Sequence, residues 1–229
     1  MSQESIFYCI IDCPFDKNKF LMNNELFVSD NDLIFLKNSL IENLIENIIK
    51  SKKGEEKIEL FFLLKGNLTY NELIEKYSNS INFNFFDNEE KLIEALIKFT
   101  HYIIFYSNSI GISSKDIGDS ISLTYSENNS LVISISDIGD NCYFAFNKFD
   151  ERLIDLILNC NINYDEFLLK LEAEKFFIHT IKKHFRVNSF ADLKILYKNL
   201  SLKESAEYCS QNMLEKFTNL FIEYRDHIK

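Results

Sequence analysis

The histidines and cysteines of this sequence could bind a transition metal or form a redox pair only if their spacing brought them together. His179 and His184 are an odd number of residues apart on a predicted strand, so their side chains face opposite sides. Cys9 and Cys13 lack the two-residue spacing of a zinc knuckle or a redox pair. This spacing favours free thiols near the core and histidines on the surface.

Loops that bind phosphate through glycine backbone are also missing from the sequence. No Gly-x-Gly-x-x-Gly follows the first predicted strand, and Gly66 and Gly111 stand alone, which excludes a P-loop. No Gly-x-Ser-x-Gly elbow is present for a nucleophilic serine. The sequence therefore lacks the common dinucleotide-binding, P-loop and acyl-transfer motifs.

Short apolar runs alternate along the chain with segments of helical periodicity. Strands are predicted at Ile6–Asp12, Ile58–Leu64, Ile81–Phe86, His101–Tyr106, Ser130–Ser136, Cys142–Phe146 and Phe177–Phe185. Helices are predicted from Leu33 to Ile48, from a Thr69 cap through Tyr77, and at Asn88–Phe99, Ser113–Thr124, Glu151–Leu158, Asn163–Glu174 and Ala191–Leu200. This alternation predicts an α/β fold, with a mostly parallel central sheet and helices on both faces.

The C-terminal segment has an apolar stripe at three- and four-residue steps. The stripe predicts one amphipathic helix over Ser201–Lys229, following an α/β domain at residues 1–200. It contains Leu202, Ala206, Cys209, Met213, Phe217, Leu220, Tyr224 and Ile228. Its apolar face packs either on the chain's own domain or on a second copy or another protein.

Composition excludes several classes of partner. The 229 residues carry a formal net charge of −10, so a nucleic acid would meet a repelling field. No apolar run is long enough to cross a bilayer, and Ile6–Ile11 is too short for a signal peptide. Five cysteines in no tight framework are typical of a reduced compartment, so we expect a cytoplasmic protein.

Five spaced segments give a family resemblance. They are Cys13–Phe20 (CPFDKNKF), Asn88–Phe99 (NEEKLIEALIKF), Tyr106–Ile112, Asp140–Phe144 and Arg186–Leu193 (RVNSFADL). In this order they resemble a bacterial family of nucleotide-diphospho-sugar transferase-like proteins, which is related to GT-A glycosyltransferases and to nucleotidyltransferases. The resemblance covers about residues 5–200.

The resemblance implies transfer of a sugar or nucleotidyl group from a nucleotide-linked donor, with Mg²⁺ or Mn²⁺ bound to the donor's diphosphate. It assigns Asp140 as catalytic base or metal ligand and Tyr143 to the wall of the donor pocket. The alternative interpretation is that Asp140 caps a turn and Tyr143 packs beside the sheet. Pro14 and Lys17 of the N-terminal loop are further donor-binding candidates, as is Asp12, an anion at the end of the first strand.

Three acidic positions of the family pattern are replaced in this sequence. Asn108 and Asn188 stand where the family has aspartates, and Arg186 replaces a third. Asn108 remains a candidate for donor or metal binding, but its amide oxygen cannot neutralise the charge of a cation. Two hypotheses follow. The first is an active nucleotide-sugar-dependent transferase, and the second is an inactive protein of the same fold that serves as a binding or assembly module.

Overall fold

The computed structural model describes residues 6–23, 26–52, 57–65, 70–171, 175–182 and 184–228. Within these ranges the chain forms one large sheet and two small two-stranded sheets. The strands are β1 (Ile6–Ile11), β2 (Leu21–Asn23), β3 (Leu26–Phe27), β4 (Ile58–Leu63), β5 (Ile81–Phe86), β6 (His101–Tyr106), β7 (Ser109–Ile110), β8 (Ser130–Ile135), β9 (Asn141–Phe146), β10 (Phe177–Lys182) and β11 (Phe185–Arg186).

The large sheet has seven strands in the order β10-β8-β9-β6-β1-β4-β5. Only β9 runs antiparallel to its neighbours β6 and β8, and the other pairs in this sheet are parallel. Ile11 at the end of β1 pairs with both Leu63 of β4 and Tyr106 of β6. The segments that follow these three strands therefore leave the sheet at one edge. The predicted α/β class with a mostly parallel sheet is confirmed.

Helices cover both faces of the sheet. They are α1 (Asp30–Ser51), α2 (Asn71–Tyr77), α3 (Glu89–Leu96), α4 (Ser114–Ser126), α5 (Glu151–Leu158), α6 (Tyr164–Lys170), α7 (Phe190–Leu200), α8 (Gln211–Glu223) and α9 (Arg225–Ile228), with 3₁₀ turns at Lys17–Phe20 and Lys203–Glu207. Side chains of β1 alternate between the two faces, as the pleat requires. Cys9 and Ile11 pack in a core with residues of α3, α5 and α6, whereas Tyr8 and Ile10 pack with α1, α2 and α4. In the described part of the chain, no helix is both long and apolar enough to cross a membrane.

The C-terminal segment is broken, so the prediction of one continuous helix over Ser201–Lys229 is wrong. Ser205 donates a hydrogen bond from Oγ to the carbonyls of Leu200 and Leu202, at 3.1 and 2.7 Å. Ser210 then caps α8, accepting a bond from the Met213 amide at 3.3 Å. Serine hydroxyls compete in this way with the helical hydrogen bonds of the backbone. Lys229 lies outside the described residues.

The apolar face of α8 packs inside the molecule. Met213, Phe217 and Leu220 are buried in a third core together with Leu36 and Leu40 of α1 and residues of α7. This packing corresponds to the first of the two interpretations of the stripe, in which its apolar face packs on the chain's own domain. The central residues of the stripe are therefore covered by the chain itself, whereas Leu202 and Ala206 at its start are exposed.

Other helix boundaries also differ from the sequence-based prediction. The helix expected through Tyr77 begins at Asn71, and its expected cap, Thr69, lies outside the described residues. The helix expected to reach Glu174 ends at Lys170, and Glu174 also lies outside them.

Candidate functional site

A cleft of about 650 Å³ opens at the edge of the sheet where β1, β4 and β6 end. Ligands of open α/β sheets bind at this carboxyl edge. The lining includes Pro14, Lys19, Lys65, Asp140, Cys160, Arg186 and Asn188.

Backbone hydrogen bonds fix the segment after β1 to the neighbouring strands. The Asp12 amide donates to the Leu63 carbonyl at 2.9 Å, and the Ser107 amide donates to the Ile11 carbonyl at 3.0 Å. The Cys13 amide in turn donates to Ser107 Oγ at 2.9 Å. The chain therefore enters the cleft wall at Cys13 and Pro14 in a fixed direction.

A two-residue strand pair places Arg186 in the cleft. The strand predicted at Phe177–Phe185 is split into two. Its first part, β10, ends at Lys182, which pairs with Ile135, the last residue of the neighbouring strand β8. The chain then pairs as β11 with β7, which sets Arg186 opposite Ser109. The Val187 amide also donates to the Asn108 carbonyl at 2.9 Å.

Side chains from three of the resembling segments form one hydrogen-bonded chain. Arg186 Nε donates to Asn108 Oδ1 at 2.9 Å, and Asn108 Nδ2 donates to Asn188 Oδ1 at 2.5 Å. Asn188 Nδ2 then donates to Asp140 Oδ2 at 3.2 Å. The order of motifs along the sequence thus corresponds to a cluster in space.

A tight turn sets the position of Asp140. The Ser136 amide donates to the Asp140 carbonyl at 2.9 Å, and the Asp140 amide donates to Ser136 Oγ at 3.0 Å. Gly139 has a φ of +87°, which side chains of L-residues rarely adopt. The turn leaves the Asp140 carboxylate partly exposed at the cleft.

Of the predicted donor-binding residues, Pro14 lines the cleft, and Asn108 is buried and bonded to two residues that line it. Asp12 does not face the cleft, because its carboxylate is 1% exposed and forms an ion pair with Lys37 of α1. Lys17 lies on the surface, where its ammonium group is 2.7 Å from the carboxylate of Asp30.

Tyr143 does not line the cleft, because it packs in the core between the sheet and helices α1, α2 and α4. Its side chain is fully buried, and its hydroxyl forms a 2.8 Å hydrogen bond with Ser120 of α4. This placement corresponds to the packing alternative rather than to a donor-pocket wall. Residues 142 to 146 alternate between the sheet faces, so a position matched by motif alone need not face the ligand.

The residues at this edge do not fit a divalent cation. Within the described ranges, no group of three or more His, Cys, Asp or Glu side chains is arranged to hold one. Asn108 Oδ1, a predicted metal ligand, accepts a bond from a guanidinium group instead. A fixed positive charge at this position disfavours a second cation nearby, so we derive no step that uses a metal.

Two thiols in the cleft wall were not predicted as a pair. Cys13 and Cys160 both line the cleft and are 2% and 7% exposed. The pKa of the Cys160 thiol is lowered to about 6. The largest cause is a hydrogen bond from the Cys13 thiol, and the positive charges of Lys65 and Arg186 lower the pKa further, although burial raises it. Burial raises the pKa of Cys13 well above its ordinary value. The two cysteines are far apart in sequence, so a search for short spacings misses them.

Comparisons with solved structures identify the fold. No protein-family model and no curated protein matches the sequence. The structure described as a nucleotide-diphospho-sugar transferase from Desulfovibrio desulfuricans G20 is similar with a TM-score of 0.67 and 13% identity, covering 97% of this chain and 99% of that chain. A cytidylyltransferase from Leptospira borgpetersenii serovar Hardjo-bovis is similar with a TM-score of 0.53 and 12% identity, covering 99% and 97%. This chain therefore has a GT-A-like fold of the kind found in nucleotidyl- and sugar-transferases.

Proposed function

We propose that this protein binds a nucleotide-linked donor in the cleft at the carboxyl edge of the sheet and transfers a sugar or nucleotidyl group from it. The observation that carries this proposal is the presence of three cationic side chains, Lys19, Lys65 and Arg186, in the cleft wall. The cleft wall also contains the carboxylates of Asp16 and Asp140, so its lysine, arginine and carboxylate side chains have one positive charge in excess, whereas the chain as a whole has a net charge of −10. A phosphorylated ligand complements this local excess.

The position of Lys65 supports a role in ligand binding. Its ammonium group donates to the Leu158 carbonyl at 2.9 Å and lies 3.2 Å from Glu89. It is therefore held at the cleft by α5 and α3 instead of extending into solvent. A pre-positioned ammonium group binds phosphate with less loss of conformational entropy than a free one.

Asp140 is the residue to which we assign the chemistry. In a sugar transfer, its carboxylate takes the proton of the acceptor hydroxyl while the acceptor oxygen bonds to the anomeric carbon. The bond between that carbon and the phosphate oxygen breaks, and the nucleoside diphosphate leaves. The hydrogen bond from Asn188 orients the carboxylate for this step.

A second candidate function is ligand binding without turnover. It is favoured by the neutral Asn108 and Asn188 at positions where the resembling family has aspartates. The two candidates share the cleft and differ only in whether the bound donor is consumed.

A turnover assay tests the proposal. The full chain is incubated with nucleotide-sugars plus acceptor sugars, and with nucleoside triphosphates plus sugar phosphates, and released nucleotide or pyrophosphate is measured by chromatography. Multiple turnovers are expected for one donor. Asp140→Asn should lower kcat about 100-fold or more, whereas Asp137→Asn, an exposed position in the same turn, should leave it unchanged. Donor binding without turnover would support the second candidate, and the absence of both binding and turnover would overturn both.

A further inference from the structure

Among the described residues, Arg186 is a buried cation that has no carboxylate partner. Arg186 is 7% exposed. Across the residues that the structure describes, no carboxylate oxygen lies within 4.0 Å of its guanidinium nitrogens. Burying a guanidinium group away from water without a carboxylate to balance its charge is unfavourable. Such a group is retained most readily where a ligand supplies the missing charge.

The hydrogen-bond and ring contacts of Arg186 with the described residues are all to uncharged groups. Nε donates to Asn108 Oδ1 at 2.9 Å, and Nη1 donates to the Cys160 carbonyl at 2.7 Å. The guanidinium carbon stacks over the Tyr106 ring, 4.6 Å from its centroid. These contacts account for two of the five N–H donors of arginine, so the orientation is fixed while donors remain for a ligand.

The asparagines complete this arrangement. Asn108 presents its oxygen to Arg186 and its nitrogen to Asn188, so the amide is oriented by the guanidinium group. An aspartate at position 108 would instead pair with Arg186 and cancel its charge. The neutral amides of Asn108 and Asn188 therefore leave the positive charge of Arg186 available to a ligand.

We propose that the guanidinium group of Arg186 takes the place of a divalent cation in this cleft and binds the diphosphate of the donor directly. The inference rests on the proposed function, since it concerns the same ligand. A planar guanidinium group donates two parallel hydrogen bonds to phosphate oxygens, which fixes geometry as a metal would. Lys19 and Lys65 in the same wall add positive charge around it.

Calorimetry on the full chain tests the inference. Nucleoside diphosphates and inorganic pyrophosphate are titrated first in EDTA and then with Mg²⁺ or Mn²⁺. We expect binding in EDTA, with a Kd that metal changes by less than about threefold. Arg186→Gln should weaken metal-free binding about tenfold or more, whereas Arg225→Gln, at an exposed position on α9, should not change it.

Asp140→Asn separates the two ways of binding a diphosphate. If Asp140 held a metal, its loss would abolish metal-dependent binding. If Arg186 binds the anion, removing a nearby negative charge leaves metal-free affinity unchanged or increases it. If thermal unfolding shows that Arg186→Gln is not folded, Lys19→Gln provides a second variant. Lys19 is at an exposed position of the cleft wall, and we expect its substitution to weaken metal-free binding about threefold.

The outcomes also separate this inference from the proposed function. Binding only in the presence of metal, lost in Asp140→Asn, would overturn the role of Arg186 and leave donor binding intact. Metal-free binding that survives Arg186→Gln in a folded variant would overturn it as well. No binding of any probe by the folded wild type, with or without metal, would overturn the proposed function and this inference together.

Discussion

At the scale of single residues, a few substitutions change which ions the cleft can bind. The resembling family places acids at positions 108, 186 and 188, and this chain has Asn, Arg and Asn there. An acidic set attracts a hard cation, whereas a guanidinium group with neutral amides attracts an anion. The sequence alone identifies the substitutions, but only the hydrogen bond from Arg186 to Asn108 shows that they form one site.

Cys160 should be the most reactive thiol of the molecule. Its pKa of about 6 is lowered first by the hydrogen bond from Cys13 and then by the charges of Lys65 and Arg186. Roughly nine-tenths of it is therefore thiolate at pH 7, the form that reacts with iodoacetamide. Peptide mass spectrometry should show alkylation of Cys160 with a rate that is half-maximal near pH 6 and about tenfold below its plateau at pH 5.

Two cysteines provide internal controls for this prediction. Burial raises the pKa of the Cys9 thiol, and it raises the pKa of the Cys142 thiol to about 12. Both thiols should therefore stay unmodified in the folded protein. A donor bound in the cleft should also slow the alkylation of Cys160, which lines it. A Cys160 rate that kept rising up to pH 9 would contradict the lowered pKa.

At the scale of secondary structure, Glu42 connects three helices. From its buried position on α1 it accepts hydrogen bonds from Lys216 of α8 and, at 2.6 Å, from Lys76 of α2. Tyr77 donates a further bond at 3.2 Å. Burial alone would raise the pKa of Glu42, but the bonds and charges of the two lysines outweigh burial and lower it.

Glu42→Gln should destabilise the protein in a pH-dependent way. A carboxylate with a lowered folded-state pKa stabilises the fold above the pKa of the unfolded chain, and this contribution is lost as the pH falls through the folded-state pKa. We expect a loss of about 1 kcal/mol in urea unfolding at pH 7, since the lysines are partly exposed. The difference from wild type should shrink as the solution is acidified below about pH 4.

A matched substitution tests whether this effect comes from the helix contacts. Glu94→Gln removes one exposed carboxylate from α3 and should leave the free energy of unfolding within about 0.5 kcal/mol of wild type. Equal losses for both variants, or a Glu42→Gln difference that grew on acidification, would contradict the prediction.

The length of an element determined whether the sequence could predict it. Strands of six residues such as β1, β6 and β8 are apolar runs with a recognisable pattern, and their predicted positions are accurate to about a residue. The pair β7 and β11 has two residues in each strand, too few to show any period. Because that pair positions Arg186, the cleft's main cation could not be placed from the sequence.

The break before α8 has a related explanation. The apolar spacing from Leu202 to Ile228 fits a helix throughout, so periodicity predicts no interruption. The interruption depends on the hydrogen bonds of two serine hydroxyls, at Ser205 and Ser210, which a hydrophobic pattern does not register. Burial of the stripe, in contrast, was among the predicted alternatives, because an apolar helix face needs a covering surface.

At the scale of the whole molecule, the C-terminal helices share a core with the segments that form the cleft. Phe217 of α8 is fully buried in the cluster that contains Ile110 of β7 and Val187, the residue after β11. The same cluster includes Leu36 and Leu40 of α1, a helix that also packs on the central sheet. We therefore expect the C-terminal segment to unfold with the sheet instead of as a separate appendage.

Phe217→Ala tests this cooperativity. Removing a fully buried ring should lower the free energy of unfolding by about 3–5 kcal/mol. Ile222→Ala truncates a side chain of the same helix that is 65% exposed, and it should change stability by less than about 0.5 kcal/mol.

In hydrogen exchange measured by mass spectrometry, Phe217→Ala should lower the protection of the slowest amides in α8, β1 and β6 by the same free energy, because one opening exposes all three. If α8 exchanged freely while β1 and β6 kept their wild-type protection, the C-terminal helices would be an independent unit, and their core would contribute nothing to the position of Arg186.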